Sequence, residues 1–196
     1  MIKFLFDRIA AAVGLLILLP VLLIIAIWVM VDSPGGAFFV QTRVGKNGRH
    51  FGLLKFRTMR PLAEAGGKLT VGARDPRITK VGYTLRKYKL DELPQLFNVL
   101  IADMSFVGPR PEVPEYVAHY TPEQRQVLNV RPGITDEASL AYFNENDILS
   151  NSPDPEKTYL EIVMPAKIEL NLAYLKKRSF LKDLGVIAKT LKRIVS

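Results

Sequence analysis

Asp91 and Glu92 stand side by side in "LDELPQLFNVLIADMSFVGPRPE", which runs from Leu90 to Glu112. A carboxylate so placed can attack phosphorus and form an acyl phosphate. It can also share a magnesium ion with substrate phosphates, the usual way proteins bind that ion. The apolar spacing of Leu93, Leu96, Phe97, Val99 and Leu100 predicts a helix starting just after the pair. Pro94 is tolerated in its first turn, and the positive helix end favours an ionised Asp91. The plain alternative is that the two acids only cap the helix. Further along, Arg110 sits between Pro109 and Pro111. Two flanking prolines restrict the backbone, which suits a guanidinium that clamps a phosphate; the alternative is an ordinary surface turn. Lys55 and Arg57 in "KFRTM", and Arg86 five residues before Asp91, add cations.

Composition narrows what this chemistry serves. The formal net charge of +8 calls for a polyanionic partner: nucleic acid, an anionic membrane surface or a phosphorylated substrate. The chain has no cysteine, which excludes disulfides, thiol catalysis and cysteine-held metals. Its two histidines, His50 and His119, exclude a histidine-rich metal site. Hard-metal chemistry through carboxylates stays open.

The elements that must position these residues divide at about residue 33. Residues 1–33 carry "IAAAVGLLILLPVLLIIAIWVMV", Ile9–Val31, without one charge. This exceeds the roughly 18 residues that mark a membrane helix. Pro20 lies in its middle, where it removes a donor and favours a kink. The segment either spans the bilayer or dips into one leaflet and returns. Basic residues flank both ends, so charge alone does not choose.

Residues 34–196 read as one α+β domain, mainly helical. Phe38–Thr42 and His50–Phe56 predict a hairpin around "GKNG". "PLAEAGGKLTVGARDPRITKVG" predicts a mobile or ligand-facing loop. Short helices are expected over Thr84–Lys89 and Pro114–Val130, and a turn-rich stretch over "FNENDILSNSPDPEKTY". Near the C-terminus Leu181, Leu184, Ile187, Ala188, Leu191 and Ile194 share one helical face, with Lys182, Lys189, Lys192 and Arg193 largely on the other. Such a helix packs on a core or lies on anionic headgroups; its apolar face also allows a homodimer.

Three segments in order, "QTRVGKNGRHFGLLKFRTM", "LRKYKLDELPQLFNVLIADMSFVGPRP" and "VRPGIT", resemble the bacterial sugar transferase family, the small monotopic phosphoglycosyl transferases. The resemblance covers nearly the whole chain. It implies an enzyme that moves a sugar 1-phosphate from a UDP-sugar to undecaprenyl (polyprenol) phosphate and releases UMP. Asp91 would be the nucleophile that carries the phospho-sugar. Glu92 would assist as a magnesium ligand or a base, so both acids are expected around Mg2+. Lys55, Arg86 and Arg110 would bind phosphates. The apolar segment would be a re-entrant helix broken at Pro20, flanked by membrane phospholipids at the cytoplasmic face of the bacterial inner membrane, with amphipathic interfacial helices around the site. Nucleic acid is not among the implied partners.

The chain departs from many relatives at two places. Leu19-Pro20 stands where Ser-Pro is common, and "DEASLAYFNENDILSNSPDPEKTY" follows "RPGIT" in place of a Gly-Trp- or Gly-Leu-Ala-Gln-like run. Two other readings compete. In one, lipid phosphate attacks the UDP-sugar directly while Asp91 and Glu92 only hold magnesium. In the other, the chain is a non-catalytic, membrane-tethered basic binding module.

Overall fold

The computed structural model describes residues 2–60 and 75–195. The chain is mainly helical. Its first element, α1 (Ile2–Asp32), is the one helix among the described residues long and apolar enough to cross a membrane. Pro20 lies in its interior, within a helix that continues on both sides.

The buried residues of α1 are Asp7, Ala11, Leu15, Leu22, Ile25 and Val29. Their spacing of three, four or seven draws one stripe along the helix. That stripe packs on the rest of the molecule. Leu15, Leu22, Ile25 and Val29 share a core with Phe56, Val81, Leu85 and Leu96; Ala11 meets Leu53, Val99 and Met104. The opposite side, including Leu16, Ile17, Ile24, Ile27 and Val31, is exposed. So large an exposed apolar surface marks a membrane or partner contact.

Strands β1 (Phe38–Val44) and β2 (His50–Phe56) form the expected antiparallel hairpin, in register from Phe38↔Phe56 to Val44↔His50. Asn47 and Gly48 turn it at positive φ of 57° and 76°, a conformation that Asn and Gly accept most readily. Helix α2 (Lys80–Lys87) begins earlier than the basic pattern suggests, because Thr79 caps it by accepting a hydrogen bond from the Gly82 N–H at 2.9 Å. It ends where Lys89 turns left-handed, with φ of 56°. A tight 3₁₀ turn over Leu90–Glu92 leads into α3 (Gln95–Leu100), with Pro94 at its cap.

A second, parallel strand pair was not legible in the sequence: β3 (Ser105–Val107) with β4 (Gly133–Thr135). Between them lies α4 (Pro114–Val117), the first part of a helix expected to reach Val130. That expectation is corrected: the chain resumes only as a 3₁₀ segment, Gln124–Asn129. Pro122 explains the gap, since it offers no N–H and drives Thr121 out of helical geometry. Helix α5 (Glu137–Ala141) precedes the turn-rich stretch, which α6 (Glu145–Ser150) and α7 (Pro155–Thr158) order. A π-helical segment, Tyr159–Val163, leads into α8 (Met164–Lys176), and α9 (Phe180–Val195) follows. Most of the Gly-rich loop after Arg60 lies outside the described residues.

The α9 helix buries a narrow edge, Asp183 and Val186. Of the apolar face read from the sequence, Ile187 packs on the Val107, Tyr174 and Val186 cluster, while Leu181, 79% exposed, and Leu191, 60% exposed, face outward.

Candidate functional site

Lys55 lies near the end of β2, and α3 docks on that strand through Asn98. The Asn98 side chain accepts from the Leu54 N–H at 3.0 Å and donates to the Gly52 carbonyl at 2.8 Å. This bridge brings the acid turn in front of α3 against Lys55. The Lys55 ammonium donates to Glu92 Oε1 at 3.4 Å.

Arg110 arrives from the other direction. Its segment is pinned on both sides. Gly108 N–H donates to the Thr135 carbonyl at 3.1 Å, and Gly133 N–H donates to the Pro109 carbonyl at 3.1 Å. Beyond Arg110, Val44 N–H donates to the Glu112 carbonyl at 2.9 Å and the Arg43 guanidinium to the Pro111 carbonyl at 3.0 Å. Two glycines permit the approach: a Cβ on Gly133 would lie 2.2 Å from the Gly108 nitrogen. The "GPRP" and "RPGIT" motifs are therefore halves of one mount. From it Arg110 donates to both oxygens of Glu92, forming a bidentate pair.

The acid pair is thus divided in role by its surroundings. Glu92 is held by Arg110 and Lys55, and these cations keep its carboxyl far below the usual carboxylate range despite burial. Asp91 is 7% exposed, and no hydrogen bond from a described residue reaches its carboxylate. Burial, then the charge of Glu92, pushes its pKa up; Lys55, Arg86 and Lys89 oppose that shift. Neither side chain accepts a backbone N–H among the described residues, so capping is not what holds them. Burial likewise lowers the Lys55 pKa, with Glu92 partly restoring it.

Arg86 reaches the site from α2, where its Nε donates to Thr58 Oγ1 at 2.9 Å. Burial lowers its pKa, while Asp91 and Asp75 act to raise it. The sequence had given no reason to single out Thr58 or Lys89. Lys89 enters the site through its charge, which acts on both Asp91 and Glu92. Arg57, grouped with Lys55 by sequence, goes elsewhere. Its guanidinium donates to the carbonyls of Ser33 at 2.8 Å, Pro34 at 2.5 Å and Gly36 at 2.7 Å. It ties the exit of α1 to the end of β2.

For a divalent cation the donors are few. Among the described residues there is no cluster of three or more carboxylate or histidine ligands. Glu92 is occupied by two cations, which leaves the uncommitted Asp91 carboxylate as the available anionic oxygen donor. This suits magnesium, which keeps several waters and takes one or two carboxylates beside substrate phosphates.

A buried carboxylate with no hydrogen bond from a described residue, beside several cations on a domain built around a long apolar helix, is an arrangement suited to phosphate chemistry at a membrane surface. Comparison with known proteins agrees. Residues 1–196 match the bacterial sugar transferase family, and the chain belongs to it. It is 43% identical over 122 residues to the putative undecaprenyl-phosphate N-acetylgalactosaminyl 1-phosphate transferase of Bacillus subtilis (strain 168), covering 62% of this chain and 68% of that protein. It is 36% identical to the UDP-glucose:undecaprenyl-phosphate glucose-1-phosphate transferase of Xanthomonas campestris pv. campestris, over 98% of this chain and 38% of the relative. Identity to the UDP-N-acetylgalactosamine-undecaprenyl-phosphate N-acetylgalactosaminephosphotransferase of Aeromonas hydrophila is 35%, over 97% of this chain and 43% of the relative. The chain therefore spans less than half the length of the last two.

Proposed function

We propose that this protein is a phosphoglycosyl transferase that moves a sugar 1-phosphate from a UDP-sugar to undecaprenyl phosphate, an early membrane step of glycoconjugate synthesis. Family membership and the relatives' names support the overall transfer. The single observation that carries the mechanism is the division of the acid pair. Asp91 is buried with no hydrogen bond from a described residue, whereas Glu92 is held by Arg110 and Lys55. A nucleophile needs a free lone pair; a positioning anion needs fixed partners.

The steps follow. An Asp91 oxygen attacks the sugar-linked phosphorus of the UDP-sugar. The bond from that phosphorus to the bridging oxygen breaks, and UMP leaves with the bond's electron pair. The lipid phosphate then attacks the aspartyl phospho-sugar, restores the carboxylate and yields a lipid-diphospho-sugar. Arg110, Lys55 and Arg86 neutralise the phosphate oxygens, the main demand of phosphoryl-type transfer. Glu92 sets the Arg110 fork and the Lys55 ammonium; its strong ionisation makes it a poor base. Magnesium, held by Asp91, substrate phosphates and water, would supply further charge neutralisation.

The membrane placement is part of the same reading. We take residues 1–33 as the embedded part and 34–196 as the catalytic part, on the cytoplasmic face. Both ends of α1 are held by the same domain. Lys3 donates to the Val107 carbonyl at 3.1 Å and pairs with Asp183, and the Asp32 carboxylate accepts from the Val81 N–H at 3.0 Å. A helix crossing the bilayer would carry one end away from that domain, so this supports a monotopic anchor. Pro20, which lacks a donor in mid-helix, is where the helix can bend back. The outward apolar face of α9 suits an interfacial helix or a homodimer contact.

The test is to mix purified protein with a UDP-sugar carrying a labelled sugar, without lipid acceptor. A phospho-sugar on Asp91, identified by mass spectrometry, together with a stoichiometric burst of UMP, is expected. Steady UMP release only when lipid phosphate is present, with no adduct ever trapped, would favour direct attack. A basic binding module would release no UMP at all.

A further inference from the structure

A second charged region lies apart from the acid pair, at the foot of α1. A cavity of about 420 Å³ opens there between the first turns of α1 and α9, a volume in the range of small-ligand sites. Lys3, Lys46, Arg131 and Arg178 line it, with Asp7 and Asp183 as its acids. Both acids are already satisfied. Asp183 takes Lys3 and the Tyr174 hydroxyl, and Asp7 accepts from Ser105 Oγ at 2.6 Å. The remaining cations are not. Among the described residues, Lys46 and Arg178 make no side-chain hydrogen bond or ion pair. Arg131 donates only its Nε, to the Ala102 carbonyl at 2.7 Å. Its guanidinium also lies 4.7 Å from the centre of the Phe4 ring, so an aromatic face fixes it in place.

The surroundings indicate where the ligand comes from. Apolar side chains from both flanking helices line the cavity, Phe4 of α1 and Phe180 of α9, with Leu175 beside them, and Phe4 is exposed. Phe6 and Phe180 join the two helices edge to face at 5.0 Å. Two cations without a partner among the described residues, Lys46 and Arg178, beside the ring-held Arg131 and an apolar lining, match a phosphate group with acyl chains attached. We propose that this cavity binds the headgroup phosphate of an anionic glycerophospholipid through Lys46, Arg131 and Arg178. The bound lipid bridges α1 and α9 and fixes the depth of the domain at the membrane. The proposal shares with the function above only the membrane placement, and its readout does not involve turnover, so either can fail alone.

The experiment is native mass spectrometry of the full chain in detergent micelles containing equal phosphatidylglycerol and phosphatidylcholine. Wild type should retain one phosphatidylglycerol in preference to phosphatidylcholine. Lys46→Ala/Arg178→Ala should lose that preference roughly tenfold or more, since each basic side chain near an anionic headgroup contributes a factor of about five. Lys46→Arg/Arg178→Lys should keep it. Both positions are exposed, so the variants should fold, which circular dichroism checks. Three results would each overturn the proposal: no preference in wild type; an equal loss in the charge-matched control Lys157→Ala/Lys192→Ala; or displacement of the lipid by stoichiometric polyprenyl phosphate, which would assign the cavity to the acceptor.

Discussion

Two regions of this molecule bury carboxylates beside cations, and they leave opposite remainders. At the acid turn, Glu92 is satisfied by Arg110 and Lys55, and among the described residues the group left over is a carboxylate, Asp91. At the foot of α1, Asp183 and Asp7 are used up on Lys3, Tyr174 and Ser105, and the groups left over are cations, Lys46 and Arg178. A saturated buried carboxylate is chemically quiet. What remains beside it decides whether the site attacks phosphorus or merely holds phosphate.

The largest expected effect is at Asp91. Asp91→Asn should lower UMP release by roughly 10³-fold or more, as loss of a nucleophile does, measured with saturating UDP-sugar. Its thermal stability should not fall. A buried aspartate with raised pKa costs stability once ionised, and the amide removes that cost. A turnover loss matched by a lower melting temperature would break the contrast between bare and saturated acids.

Arg110 comes next. Arg110→Lys replaces a two-pronged contact with a point charge. The expected loss is roughly 10–100-fold in kcat/KM, and Arg110→Ala should also destabilise the fold by about 3–5 kcal/mol, because Glu92 stays buried without its main partner. Chemical denaturation in detergent reads the second effect.

The pH profile sharpens the same point. Asp91 must be ionised to attack, and its pKa lies above the ordinary carboxylate value. Turnover should therefore fall on acidification at a higher pH than an unperturbed aspartate would give, up to about tenfold per unit. For stability the sign reverses. The neutral Asp91 contributes fully below its unfolded pKa, and that contribution is lost as pH rises through the folded value. The melting-temperature gap between Asp91→Asn and wild type should thus widen from acid to neutral pH.

Asp183→Asn should show the smallest effect. It keeps an acceptor for Tyr174 and loses the half-exposed Lys3 pair, at about 1 kcal/mol. UMP release should change less than twofold. A large catalytic loss there would tie the two regions together.

Local pattern made much of this legible. The apolar run, the β1–β2 hairpin with its Asn-Gly turn, and the helix that follows the acid pair all follow from period and turn chemistry acting within a few residues. The family's motif order carried the reaction class. The parallel β3–β4 pair escaped notice, because three-residue strands carry no periodicity and their partners lie far apart in the chain. Pro122 splits the expected helix, because one missing N–H outweighs helical spacing on either side. Arg57 and Lys55 looked alike in "KFRTM", yet one holds backbone carbonyls and the other faces Glu92.

The amino-acid order alone determined that a charged, cysteine-free domain follows a membrane-length apolar helix, and that acids and cations recur in it at motif spacing. These are properties of composition and of neighbours in the chain. Only the tertiary structure decided which acid is bare and which is bound. That choice depends on where Lys55 and Arg110 meet Glu92, 37 and 18 residues away in sequence. Desolvation and pairing are set by such long-range contacts, and no local pattern encodes them.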